Sequence, residues 1–295
     1  MKIAIASGKG GAGKTSLSTN LCALLAECTE VVLADLDVEE PDAAMFFTTA
    51  FNEEPVFRMI PEWDADSCTS CGRCQEVCNF NAVIKLLDEI VVFPELCHSC
   101  HACSLLCPDS ALPMVPRQIG VLRKASLSHL TVLEGRLNIG EEQAVPLIAH
   151  VNQLIEKEYG KDRIVIIDSP PGTSCPVIEV TRSADLVLLV TEPNPFGLND
   201  LKIMVDTLKL LGRKMAVVIN RAEENNKTIQ GFCDAEGIPL IAEIPHSRKA
   251  AERYARGKLM VHDLVDIRME FNKIKEYILR VKATTSFERD RIHIG

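Results

Sequence analysis

The chain is poor in aromatic residues, 5% of its 295, has no excess of positive charge and contains no long apolar run. Without a run of about 18 apolar residues, a membrane-spanning helix is not expected. A formal net charge of −9 argues against a nucleic-acid partner held by phosphate contacts, which needs Lys and Arg clustered on one face. Met1-Lys2 leads directly into a strand-like segment with no signal-peptide layout, so a cytoplasmic location is expected. A hydrophobic fraction of 47% beside 25% charged residues excludes disorder and suits a globular chain with one or two cores.

Cysteine is plentiful: there are 12, eight of them within residues 68–107. In a small secreted chain such a count suggests disulfides, but two tight clusters inside an enzyme-like chain read better as metal ligands.

Short apolar runs alternate with helical patterns. Ile3-Ala4-Ile5-Ala6, Val31-Val32-Leu33-Ala34, Ile164-Val165-Ile166-Ile167, Leu186 to Val190 and Met215 to Ile219 fit strands buried on both faces of a parallel sheet. The predicted fold is α/β, doubly wound. Helices are expected at 14–27, 141–159, 198–211, 225–236 and 247–256, with Asn199 or Asp200 and Ser247 as start signals and Gly212, Gly237 and Gly257 as stops. From about 53 to 117 the pattern breaks, with Pro55, Pro61, Pro94, Pro108, Pro113 and Pro116 between short segments. This reads as an insertion at 61–116 in a discontinuous core of 1–60 and 117–295, and 117–137 reads as a hairpin returning the chain to that core.

Gly8-Lys9-Gly10-Gly11-Ala12-Gly13-Lys14-Thr15 fits the phosphate loop G-x-x-x-x-G-K-[ST] between a strand and a helix. Its backbone N–H groups would cradle phosphate, Lys14 would reach the β- and γ-phosphates, and the Thr15 hydroxyl would join a Mg²⁺ shell. The same stretch reads G-x-G-x-x-G through Gly8, Gly10 and Gly13, with Asp35 near the distance expected of a ribose-binding acid. That dinucleotide reading leaves Lys14-Thr15 unexplained. Asp35 and Asp37 end one apolar strand two residues apart, so an extended chain points both to the same side. Asp168-Ser169-Pro170-Pro171-Gly172 ends another strand in an acid followed by a glycine loop.

Together these segments resemble the MinD/ParA group of deviant Walker A ATPases, which is related to the nitrogenase iron protein and the Mrp-type cluster carriers. The resemblance extends to Val218-Ile219-Asn220-Arg221 and covers about 75% of the chain. It implies ATP and Mg²⁺ as ligands, hydrolysis of ATP, and a nucleotide-dependent homodimer in which Lys9 reaches the partner's ATP. Ser16 would join the loop residues at the nucleotide, Asn220 would bind adenine with Arg221 beside it, Asp37 would position the attacking water, Asp35 would lie next to it in switch I, and Asp168 would support Mg²⁺ through water. One departure is that Ile244-Pro245 is followed by His246-Ser247, where the family commonly has an aromatic residue and an acid.

Cys68, Cys71, Cys74 and Cys78, and again Cys97, Cys100, Cys103 and Cys107, follow Cys-x2-Cys-x2-Cys-x3-Cys at an offset of 29 residues. Four-cysteine zinc sites also use Cys-x2-Cys pairs, but two pairs are separated by about 15–20 residues. The duplicated run is similar to that of two-cluster bacterial ferredoxins. This resemblance implies a small α+β ferredoxin-like domain with two [4Fe–4S] clusters and crossed ligands: Cys68, Cys71, Cys74 and Cys107 for one, Cys97, Cys100, Cys103 and Cys78 for the other. Asn79 stands where the second run has Pro108. His98 and His101 read as exposed turn residues, and Cys175 as a buried small hydrophobe. Cys22, Cys28 and Cys233 read as core or near-surface thiols. Leu264, Ile267, Phe271, Ile274, Ile278 and Val281 recur at helical spacing, ahead of a polar tail at 284–295. They are expected to dock on the core, since acids among the basic residues disfavour a membrane-surface helix.

Two functions fit these residues. In one, nucleotide-dependent dimerisation alters how the cysteine module meets a redox or metallocluster partner protein. In the other, the chain is a positioning or regulatory ATPase whose clusters sense redox state or oxygen.

Overall fold

The apolar runs become strands because nothing along them would present a polar face to water. Every residue of Lys2–Ala6, Val31–Asp35, Ile164–Asp168 and Leu186–Thr191 is buried. The computed structural model describes residues 1–159, 163–223 and 226–292, with side chains as far as residue 284. In chain order the first elements are β1 (Lys2–Ala6), α1 (Lys14–Ala26), β2 (Val31–Asp35), β3 (Asn52–Pro61), α2 (Arg73–Glu76), β4 (Val83–Leu86), β5 (Glu89–Val92), α3 (Ala102–Leu105), β6 (Met114–Leu127) and β7 (Leu130–Leu137). There follow α4 (Ala144–Tyr159), β8 (Ile164–Asp168), α5 (Cys175–Arg182), β9 (Leu186–Thr191), α6 (Pro195–Leu210), β10 (Met215–Ala222), α7 (Lys227–Glu236), β11 (Leu240–Pro245), α8 (Arg248–Tyr254) and α9 (Val265–Ile292).

The chain divides into two compact units, 1–53 with 122–136 and 148–295, and 54–121 with 137–147. In the first, the strand order is β11-β10-β9-β1-β8-β2-β7, followed by the 122–127 part of β6. β1 pairs in parallel with β8 and β9, β2 with β8 and β7, and β10 with β9 and β11. Alternate strand residues such as Ile3, Ile5, Leu33 and Ile166 share one core with α1 and with Ile267, Phe271, Ile274 and Ile278 of α9. The residues between them, Ala4, Val32 and Ile167, are equally buried, as expected of a sheet covered on both faces. Among the described residues, no helix is long and apolar enough to cross a membrane.

The second unit contains the rest of β3 and β6 and the antiparallel pair β4–β5, in register from Val83 opposite Val92 to Leu86 opposite Glu89. Its small core joins Cys74, Val83, Ile90, Cys103 and Leu112, with Trp63 against them. Buried Arg58 of β3 bonds the carbonyls of Pro94 and Cys97 and the side chain of Gln143, and pairs with buried Glu141 at 3.0 Å.

Several boundaries differ from the sequence reading. α6 begins at Pro195, because Asn194 caps it by accepting from the Gly197 N–H at 2.8 Å and proline suits the first helical position. Asn199 and Asp200 therefore lie inside it. α4 begins at Ala144, with Glu141 and Gln143 engaged by Arg58. β3 was not expected, since Pro55 and Pro61 obscure its alternation, and α9 runs to Ile292 through much of the expected tail. Asn225, where a helix was expected to start, and tail residues 293–295 lie outside the described residues. Ser247 caps α8 as read, accepting from the Ala250 N–H.

One buried polar residue ties α1 to the chain after α8. Asn20 donates to the Ser16 carbonyl, and its Oδ1 accepts from the Met260 and Val261 N–H groups at 2.6 and 3.1 Å. Asn20→Ala strands both buried N–H groups and should cost about 2–4 kcal/mol. Urea denaturation measures this, and a loss below about 1 kcal/mol would show that water replaces the amide.

Candidate functional site

The loop from β1 into α1 is shaped for an anion. Gly11 and Gly13 have φ of 77° and 97°, in the region that disfavours side chains. A Cβ on Gly13 would also lie 2.2 Å from Asn220 Nδ2, the group that donates to the Ala12 carbonyl at 2.9 Å. α1 has no side-chain cap and no acid in its first turn, so its leading N–H groups and positive dipole end are available to phosphate. Lys14 is buried beside them.

A cleft of about 440 Å³, a volume suited to a nucleotide, is lined by Gly10, Gly11, Gly13, Lys14, Thr15 and Ser16 on one side. Asp37, Asn220 and Arg221 also line it, and its far end is formed by Pro245, His246 and Tyr254. Gly8, Lys9 and Ala12 do not line this cleft. They border a small crevice with Glu192 and Asp200, where a Cβ on Gly8 would lie 2.5 Å from Asp200 Cβ. Lys9 pairs with Glu192 at 2.9 Å, and Arg221 pairs with the other carboxylate oxygen.

Parallel pairing sets Asp35 directly opposite Asp168, both fully buried. Asp35 accepts three backbone N–H bonds, from Asp37, Asp42 and Ala43. Neither Asp168 oxygen has a hydrogen-bond partner among the described residues. Burial pushes the Asp168 carboxyl up to about 7, with the neighbouring Thr15 hydroxyl and Lys14 pulling the other way. Burial, then the Asp168 charge, pushes Asp35 up as well. Asp37, half-buried, is raised to about 6 by burial, opposed by Lys14.

Two residues absent from the sequence reading complete the cleft. Tyr254 donates to Asp42 Oδ2 at 2.7 Å and packs on Phe46 with ring centroids 5.1 Å apart. Tyr254 supplies an aromatic ring at the end where His246-Ser247 departs from the family pattern. Its one sequence signal is that it is the sole aromatic of the 247–256 helix, and Asp42 is marked only by following Pro41.

The cysteine runs repeat in the backbone as well as in sequence. Ser70 and Ser99 have φ of 55° and 53°, Gly72 and His101 80° and 63°, Asn81 and Ser110 53° and 55°. Sulfur-directed N–H bonds repeat too: Ser70 to Cys68, Ser99 to Cys97, Ala82 to Cys78 and Ala111 to Cys107, all 3.3–3.4 Å. Cys74 has Cys107 and then Cys68 as its thiol neighbours, whereas Cys103 has Cys97, Cys100 and Cys78. Burial raises both central thiols, Cys103 to about 11. Cys71 and Cys100 are exposed, as are His98 and His101, and the His98 ring stacks on Phe80.

These sulfurs suit a polynuclear group better than one ion. A tetrahedral zinc with bonds of about 2.3 Å would hold its sulfurs about 3.8 Å apart. Among the described residues, no three of these cysteines bring their sulfurs within 4.8 Å of one another. Cys175 corrects the sequence reading: it is exposed, because it occupies the solvent-facing first turn of α5 after exposed Ser174.

A parallel α/β sheet with this loop at the end of its first strand defines a P-loop nucleotide-binding protein. The chain belongs to the CobQ/CobB/MinD/ParA nucleotide binding domain family, whose pattern matches residues 3–261. An uncharacterized protein of Methanocaldococcus jannaschii is 31% identical over 285 residues, covering 94% of this chain and 98% of that protein. The iron-sulfur cluster carrier protein of Pyrococcus horikoshii is 23% identical over 273 residues, 85% of this chain and 76% of its own. Ferredoxin-3 of Nostoc is 33% identical over 66 residues, only 16% of this chain but 68% of the ferredoxin. Among solved structures, the septum site-determining protein MinD of Pyrococcus horikoshii, complexed with Mg-ADP, matches with a TM-score of 0.60 at 18% identity over 94% of this chain and 95% of its own.

The Asp168 carboxyl sets a pH test. Its native value of about 7 lies above the unfolded value near 4, so the native state holds the proton more tightly. This contribution to stability is full below about pH 4 and is lost as pH rises through about 7. In protein free of nucleotide and Mg²⁺, Asp168→Asn should flatten the fall in unfolding free energy between about pH 5.5 and 7.5. An unchanged slope in denaturant titrations would contradict this.

Proposed function

We propose that the chain is an ATP-hydrolysing iron–sulfur protein in which nucleotide-dependent dimerisation is coupled to electron transfer or metallocluster handling through the cysteine module. The observation that carries the reading is the cysteine neighbourhood: Cys107 lies with Cys74 and Cys68, and Cys78 with Cys103, Cys97 and Cys100. That is the crossed pattern of two-cluster ferredoxins, within a chain that also has a complete phosphate loop.

In this reading Cys68, Cys71, Cys74 and Cys107 hold one [4Fe–4S] cluster and Cys97, Cys100, Cys103 and Cys78 the other, in a domain of about 61–116. When bound, the clusters supply one-electron chemistry. The α1 amides and Lys14 bind the phosphates, Thr15 and Asp168 hold Mg²⁺, and Asn220 and Arg221 lie along the nucleotide. Asp37 orients the attacking water. Lys9 leaves Glu192 to reach the partner's phosphates in the dimer. The relationship to iron–sulfur carriers and ferredoxin supports cluster binding, and the family supports the ATPase. The exposure of Cys71 and Cys100 also supports a second reading, a regulatory ATPase whose clusters meet oxidants at the surface.

Anaerobically purified protein should hold about eight irons per chain. Cys78→Ala should damage the cluster of the second run although Cys78 lies in the first, and loss confined to the first-run cluster, followed by EPR, would refute crossed ligation.

Lys14→Ala should abolish ATP binding, whereas Lys9→Ala should bind ATP and remain monomeric and inactive. In the parent protein, ATP should shift cluster potentials by on the order of 40–130 mV relative to ADP, the one-electron equivalent of about 1–3 kcal/mol of coupling. Equal potentials with ATP, ADP and no nucleotide would leave the module uncoupled from the ATPase.

A further inference from the structure

The chain has a single tryptophan, and its one polar atom is stranded. Trp63 follows β3, half-buried, and packs against the small core of Cys74, Val83, Ile90, Cys103 and Leu112. Its Nε1 is buried and has no acceptor among the described residues. A buried tryptophan N–H usually finds a partner, and leaving it without one is costly. Val83, Ile90 and Leu112 carry no side-chain acceptor, so sulfur is the one element among the side chains of this core that can take the bond.

The duplication shows which quartet the indole serves. The offset of 29 residues sets Trp63 against Val92, and the backbone repeats around both. Asp64 N–H bonds the Ala111 carbonyl at 3.0 Å, as Phe93 N–H bonds the Ala82 carbonyl at 2.8 Å. Ala111 N–H in turn bonds Cys107 Sγ, as Ala82 N–H bonds Cys78 Sγ, both at 3.3 Å. Trp63 is thus placed beside the Cys107 turn and Val92 beside the Cys78 turn. Cys107 lies with Cys74 and Cys68, whereas Cys78 lies with Cys103. A cavity bordered by Cys78, Cys97, Cys100 and Cys103 is not lined by Trp63. The second quartet has a valine at the equivalent place, and a valine side chain donates nothing.

We propose that Trp63 is a further binding residue for the cluster of Cys68, Cys71, Cys74 and Cys107, donating its indole N–H to a sulfur of that cluster and raising its reduction potential. This rests on the two-cluster reading above. The sign follows from charge: reduction adds an electron to a group that four thiolates already make negative, and a donor aimed at sulfur favours the more negative state. The proton stays on the indole. Two quartets that match in cysteine spacing therefore differ in this donor.

The test uses the full-length protein with its clusters loaded anaerobically. Tryptophan labelled with ¹⁵N in the indole ring marks one site, because the chain has one tryptophan. Pulsed EPR of the reduced protein should show a ¹⁵N coupling on the cluster signal that survives in Cys100→Ala, a variant lacking one ligand of the second quartet. Trp63→Phe keeps an aromatic ring and removes the donor. Its iron content should match the parent, while the potential of the first-run cluster falls and that of the second stays. Absence of the coupling would overturn the proposal, as would a coupling confined to the signal lost in Cys100→Ala, or Trp63→Phe protein with both potentials unchanged. If Trp63→Phe does not fold, the label decides, since it leaves the sequence intact. Protein that binds no iron would overturn the two-cluster reading as well, whereas loaded protein without the coupling overturns this inference alone.

Discussion

Two carboxylates are forced side by side at the centre of the larger unit. Asp35 and Asp168 end adjacent parallel strands in register, each fully buried. Apolar strands on both sides leave no water to screen them, so the surrounding chain must supply compensation. Asp35 receives it from three amide donors of its own turn, and Lys14 lies close enough to favour the charged form of Asp168. Among the described residues neither Asp168 oxygen has a hydrogen-bond partner at normal distance, and the nearby Thr15 hydroxyl adds to Lys14 in favouring its charge. The strand register and the bonds of the turn after β2 together fix where these acids sit.

Sequence carried the sheet well, because a strand buried on both faces shows as an unbroken apolar run and needs no partner to be identified. The phosphate loop was legible for a similar reason, since its glycines and Lys14-Thr15 are local requirements. What was missed depends on distant contacts. Tyr254 matters through Asp42, 212 residues earlier, and Arg58 through Glu141 and the Cys97 carbonyl. Glu192 shows its role only where Lys9 and Arg221 converge on it. Asn194 was passed over because Asn199 and Asp200 compete as caps, and the choice falls to the residue with a proline behind it. Cys175 reads as buried because a free cysteine usually behaves as a small hydrophobe, yet the first turn of α5 faces solvent.

The duplicated cysteine segment repeats more faithfully in backbone than in side chains. His101 adopts the left-handed conformation that Gly72 adopts in the first copy, although a side chain there costs roughly 1–2 kcal/mol. The turn is therefore demanded by the positions of the flanking cysteines and not chosen by the residue in it. The surroundings are not duplicated: both turns share one backbone bond, Cys68 N–H to the Ala65 carbonyl and Cys97 N–H to the Pro94 carbonyl, but in the second copy Arg58 also bonds the Cys97 and Pro94 carbonyls. The two quartets thus sit in different polar environments, and hydrogen bonds near the sulfurs are among the features that set the potential of any cluster held there.

The same economy governs Lys9. Its pair with Glu192 is only 2.9 Å long, but the Lys9 side chain is 36% exposed, and such pairs contribute about 0–1 kcal/mol. The buried member is Glu192, and it has a second cation in Arg221. Burial alone would raise the Glu192 carboxyl, yet Lys9 and Arg221 together hold it below its ordinary value. Departure of Lys9 consequently leaves Glu192 paired, which avoids the large penalty of stranding a buried charge. A lysine held this lightly can exchange its carboxylate for a more highly charged anion without disturbing the sheet beneath it, whereas Lys14, buried at the mouth of α1, cannot leave. The two lysines of the loop thus differ in how much of the fold depends on their staying.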